Sequence, residues 1–112
     1  MKTYQQSGNC NFLITNHKTS TKVLVNDIVL LEGDINYTII HLQSGKVQTI
    51  AHSIKFFEPF LETLGFLRVH RAYMINPNFV KEYNREHEML TMSNGKIANI
   101  SRRRKHTLID FV

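Results

Sequence analysis

The chain has 112 residues, 42% hydrophobic and 21% charged, and Lys+Arg 14 against Asp+Glu 9 leaves a net charge of +5. That length suits one domain and excludes two packed domains or a large barrel, while the composition excludes a disordered chain. The positive balance makes a polyanion the leading class of partner.

Residues 1–21, rich in Asn, Ser, Thr and Lys, are expected to be a variable N-terminal segment with Phe12-Leu13-Ile14 as a short edge strand. Thr21 to Val25 predicts a second strand, turned by Asn26-Asp27, and Ile28-Val29-Leu30-Leu31 a strand buried on both faces. Ile35 to Leu42, rich in β-branched residues and Tyr, and Lys46 to His52 predict a hairpin around Gln43-Ser44-Gly45. From Ser53 the period becomes helical. Phe56, Phe57, Phe60, Leu61 and Leu64 fall on one face of a helix near 54–64, with Ser53 and Gly65 as caps. Pro59 removes an internal hydrogen bond there and argues for a late start or a bend.

Phe66 to Ile75 returns to strand character and stops at Asn76-Pro77-Asn78. Phe79 to Tyr83, Met89 to Met92 and Lys96 to Ile100 predict three more strands, the last two joined around Asn94-Gly95, where both residues tolerate positive φ. Ser101 is expected to cap a final helix near 102–110, with Leu108, Phe111 and Val112 turned inward. The expected fold is mainly β: about eight to ten short antiparallel strands in small packed sheets, with two short helices.

The charge is uneven. Residues 1–52 hold four Lys and three acids, 4 − 3 = +1, whereas residues 53–112 hold ten cations and six acids, 10 − 6 = +4. Arg102-Arg103-Arg104-Lys105 concentrates it further, in the first turn of the expected helix, where the macrodipole disfavours cations by about 0.3–1 kcal/mol each. A solvated face is one reading; phosphate binding by Arg side chains and free N–H groups explains the placement better. In Arg68-Val69-His70-Arg71, alternation sends Arg68 and His70 to one face and Val69 and Arg71 to the other. Arg68 then reads as an ion-pair partner on the sheet surface, or the strand ends in a loop that delivers His70 and Arg71 into a groove.

Four segments in this order and spacing resemble the LytTR DNA-binding domain: Ile28-Val29-Leu30-Leu31-Glu32-Gly33, then Asn36-Tyr37-Thr38, then the run Phe66 to Asn76, and finally Ile100-Ser101-Arg102-Arg103. The resemblance covers about residues 22–112, and the pairing of Arg-Val-His-Arg with Ser-Arg-Arg is its most specific part. It implies a β-rich domain that regulates transcription by binding double-stranded DNA through loops in successive major grooves, commonly at paired sites holding two protomers. Carried over by position, it implies base contacts from Asn36, His70, Arg71, Arg102 and Arg103, and phosphate contacts from Tyr37, Arg104 and Lys105. No cofactor is implied. Ala72 stands where the family often has Ser. Family members commonly follow a receiver domain, for which 112 residues leave no room, so the resemblance implies a stand-alone regulator or a piece that works with a receiver or sensor partner.

Other classes fit less well. An RNA- or single-strand-binding β-barrel is the alternative, with Tyr37, Tyr73 and Tyr83 stacking bases, although Tyr at strand spacing more often packs a core. Phe56, Phe57 and Phe60 allow a protein-docking stripe, but core packing suits that spacing better. For an enzyme there is no Gly-rich phosphate loop, nucleophile elbow or zinc-protease motif. Six His (17, 41, 52, 70, 87 and 106) lack ligand spacing, and Glu82, Glu86 and Glu88 gather around an expected turn. The single cysteine, Cys10, excludes a disulfide framework and a cysteine-based zinc cluster. With no apolar run near the ~20 residues of a membrane span and no signal-peptide core, the chain reads as cytoplasmic.

Overall fold

The structure, a computed structural model, describes residues 4–16, 18–19 and 21–108. β1 (Tyr4–Ser7), β2 (Cys10–Asn16) and β3 (Thr21–Leu24) form an antiparallel sheet in that order. Phe12-Leu13-Ile14 is therefore central rather than at an edge. β1, whose polar residues gave no strand signal, pairs with its outer side, and Leu13 stands opposite Tyr4 and Val23.

β4 (Ile28–Gly33), β5 (Thr38–Leu42), β6 (Val47–Ile50), the helix α1 (Ile54–Thr63), β7 (Leu67–His70) and β8 (Tyr73–Ile75) follow. Their strands build a five-stranded sheet in the order β6-β5-β4-β8-β7. β4 lies at its centre, and Ile28 to Leu31 are all fully buried, as the apolar run predicts. The register slips between Ile28 and Leu30, so Val29 is an extra, bulged residue. That bulge breaks simple alternation. Ile28 and Leu31 enter one core with Leu13, Ile40, Phe57 and Met74, while Val29 and Leu30 enter a second with Val69, Leu90 and Ile100. The central sheet is thus covered on both faces.

The second cover is the sheet β11-β10-β9, formed by β9 (Val80–Asn84), β10 (Met89–Met92) and β11 (Ile97–Asn99). The β5–β6 and β10–β11 hairpins use the same three-residue loop. In each, the third loop residue, Gly45 or Gly95, holds φ near +90°, and its N–H donates to the carbonyl of Leu42 or Met92 (2.9 Å). Asn94 keeps negative φ, contrary to expectation; its Oδ1 accepts from the Lys96 N–H (3.0 Å) instead.

α1 matches its predicted span with Pro59 inside it, neither late nor broken. Burial at Ile54, Phe57 and Leu61 outweighs the one bond lost at Pro59, and Phe56 and Leu64 stay at the exposed rim. Gly65 (φ +92°) ends the helix, with Gly65 N–H bonded to the Glu62 carbonyl and Phe66 N–H to the Leu61 carbonyl (both 3.1 Å). Ser53 occupies the cap position without a side-chain capping bond.

Two further expectations are corrected. Residues 35–37 form a loop, not the start of a strand, and the expected strand 66–75 is the hairpin β7–β8, turned at Arg71-Ala72. The final helix, expected near 102–110, is a 3-10 helix over Arg102–Leu108, opened by an Arg104 N–H bond to the Ser101 carbonyl (3.1 Å). Leu108 is buried as expected; Phe111 and Val112 lie outside the described residues.

Candidate nucleic-acid interface

The β7–β8 turn contains no Gly, Pro or Asn, and the Arg68 side chain closes it. Its Nε donates to the His70 carbonyl (2.9 Å), Nη2 to the Arg71 carbonyl (2.5 Å), and Nη1 to Glu58 Oε1 on α1 (2.6 Å). The ion-pair reading of Arg68 holds; β7 ends at His70, and Arg71 opens the turn. Burial pushes the Arg68 guanidinium down and Glu58 opposes this; the group stays charged at neutral pH. Nearby, a side-chain hydrogen bond with Glu58 holds the Glu62 carboxyl above its usual range, aided by burial and opposed by Arg104 and Arg68.

His70 Nδ1 accepts the Ala72 N–H (3.0 Å), so the neutral ring carries its proton on Nε2, which remains a donor. Burial lowers its pKa first, and Arg71, Arg104 and Arg68 lower it further. The ring is therefore neutral at physiological pH. Arg71 beside it is exposed.

The loop between β4 and β5 carries Asn36 and Tyr37. Asp34 N–H donates to the Tyr37 carbonyl (2.9 Å), and Asp34 Oδ1 accepts the Ile35 N–H (2.7 Å), which closes the loop on itself. Its root is tied to the neighbouring turn by the Gly33 N–H bond to the Ala72 carbonyl (2.7 Å). A cleft of about 590 Å³ between them is lined by Ile35, Arg71 and Lys55, among others. Loop 34–37 and turn 70–72 thus act as one unit, and Asn36 and Tyr37 are both exposed on it.

Ser101 N–H donates to the Val69 carbonyl (2.8 Å), which starts the 3-10 helix beside the end of β7. Arg102 and Arg103 are exposed. Among the described residues, no carboxylate lies within ion-pair distance of them or of Arg71. Arg104 is half-buried and charge-coupled to Glu62, Arg68 and His70. Lys105 reaches back to Glu88 Oε1 (3.4 Å) on the β9–β10 turn.

A family model described as the LytTr DNA-binding domain matches residues 18–111. The chain belongs to the LytTR DNA-binding domain family. A solved structure similar to it is the LytTr DNA-binding domain of a Bacillus cereus protein described as a methyl-accepting/DNA response regulator. The two share 23% identity with a TM-score of 0.69, over 94% of this chain and 97% of the other. No curated protein matches. LytTR domains are DNA-binding domains of transcription regulators and not an enzyme family, and no helix among the described residues is long and apolar enough to cross a membrane.

Within this LytTR domain, Tyr73 and Tyr83 pack partly buried against the second core, as Tyr at strand spacing is expected to do. Sequence reasoning missed two residues of the cleft. Lys55 read only as lying off the apolar face of α1, and Ile35 read as strand because it is β-branched. The one local signal for the loop was Asp34, whose short side chain bonds the next N–H.

Proposed function

We propose that this domain binds double-stranded DNA sequence-specifically to regulate transcription, with two protomers on paired sites. In this reading Asn36, His70, Arg71, Arg102 and Arg103 read base edges in the major groove, and Tyr37, Arg104 and Lys105 contact phosphates. The unit that does so spans 22–112, with 1–21 as a variable N-terminal segment. The observation that carries the reading is the divided use of the cations. Arg68 is turned inward to shape the turn, while Arg71, Arg102 and Arg103 are exposed without carboxylate partners among the described residues, on elements joined by backbone hydrogen bonds. An unpaired Arg fork suits guanine O6 and N7, and the Asn36 amide suits adenine N6 and N7. The neutral His70 offers its Nε2–H to a base acceptor without a desolvated charge.

Selection of bound duplexes from a random pool tests the reading and gives the site and its spacing. Arg103→Ala should then relax preference at one position by about 1–3 kcal/mol. Lys105→Ala should weaken all sequences alike and flatten the salt dependence, less than a free lysine would, because it exchanges a Glu88 contact for a phosphate. Tighter binding of single strands than of duplex at matched salt would overturn the reading.

A further inference from the structure

Ile35 is the most solvent-exposed large apolar side chain among the described residues, at 86% against 55% for Val47, the next. Val47 and Ile97 lie on strands and Phe56 and Leu64 belong to α1 or its end, where neighbours cover part of each; Ile35 stands at the tip of a loop. That loop is closed on itself, and its root is bonded to turn 70–72. The side chain is therefore presented in a defined place, on the rim of the cleft that Arg71 and Lys55 also line and next to Asn36. Asp34 is the one acid of that lining, and its Oδ1 is already engaged by the Ile35 N–H.

A single apolar side chain among cations is too small for a protein interface, which needs roughly 800 Å² on each partner. It matches an apolar group held in an anionic frame, and the thymine C5-methyl is that group in the major groove. We propose that Ile35 packs against the C5-methyl of a thymine adjacent to the base read by Asn36, making it a specificity-determining residue. This rests on the duplex-reading function proposed above.

The test uses a duplex selected by the whole chain, with each thymine replaced in turn by deoxyuridine, which lacks only the methyl. At one position the wild-type chain should lose about 4-fold in affinity, the value of one buried carbon group. Ile35→Ala should bind the thymine duplex correspondingly less well and no longer distinguish thymine from deoxyuridine there. Its thermal midpoint should stay close to the wild type, since Ile35 contributes little buried area. A wild-type chain indifferent to every deoxyuridine, or an Ile35→Ala chain that keeps the discrimination, would overturn the assignment while leaving duplex reading intact. Failure to select any duplex would overturn the DNA reading itself, and this assignment with it.

Discussion

Replacing Arg68 with Met separates a residue that shapes the interface from one that touches DNA. Met keeps an apolar stem in place of the alkyl chain but removes three hydrogen bonds: to the Glu58 carboxylate and to the His70 and Arg71 carbonyls. The ion pair is largely shielded, with side-chain exposures of 11% for Arg68 and 20% for Glu58. A bond to a charged group is worth about 1.5–3 kcal/mol and each carbonyl bond about 0.5–1.5 kcal/mol. Because water reaches part of Glu58 and the turn, the expected loss is about 2–4 kcal/mol, read from urea unfolding with an unchanged m-value. Loosening turn 70–72 adds an ordering cost on binding. At 1–2 kcal/mol per fully disordered residue and only partial release, affinity for the selected duplex should fall roughly 10-fold. The slope of log affinity against log salt should stay constant, since no phosphate contact is lost. A stability change below about 0.5 kcal/mol, or a slope reduced by about 0.9, would refute this account; the latter would place Arg68 on a phosphate.

His70→Asn retains an acceptor for the Ala72 N–H and removes the titration. The folded His70 has a pKa lowered from 6.5, so below that pH the unfolded chain takes up the proton first and stability falls as pH drops through the folded value. The variant should show a shallower loss of thermal midpoint between pH 7 and 5, and an identical profile would sink the explanation. At Gly33, an added Cβ would lie 2.7 Å from Ile54 Cδ1 and 3.0 Å from Cγ1. Gly33→Ala should therefore cost about 1–3 kcal/mol, and Ile54→Val, which removes Cδ1, should recover part of it. Strict additivity in that double mutant would show the crowding to be irrelevant. Asn76→Ala strips a buried residue whose Nδ2 bonds the Ile28 carbonyl (3.0 Å) and whose Oδ1 accepts the Asn78 N–H (3.1 Å). About 2–3 kcal/mol should be lost in thermal or urea unfolding, and a loss under 1 kcal/mol would mean water replaces both bonds.

What could be read from the residues was local or periodic. The doubly buried run Ile28 to Leu31, the helix with its Gly65 terminus and the two Gly-containing hairpin loops follow from side-chain size and backbone freedom, which act over a few residues. The pairing of Arg-Val-His-Arg with Ser-Arg-Arg was legible as a family pattern, although nothing within either segment says that they meet. What escaped depends on partners distant in sequence. β1 is a strand only because β2 offers it an edge, and the turn at Arg71-Ala72 exists because Arg68 supplies from its side chain the donors that a turn residue would otherwise provide. Loop 34–37 delays β5 to Thr38, because the Asp34 side chain takes the Ile35 N–H that a strand neighbour would otherwise have taken.

The sequence by itself thus determined a mainly β domain, its cationic C-terminal half and the family to which it belongs, because composition, period and motif spacing are properties of the chain alone. The tertiary structure decided which cations are engaged internally and which face outward, and that Asn36 and Arg71 stand on one bonded unit. Hydrogen bonds such as Gly33 to Ala72 and Ser101 to Val69 join segments more than thirty residues apart, and no local preference encodes which distant carbonyl an N–H will find.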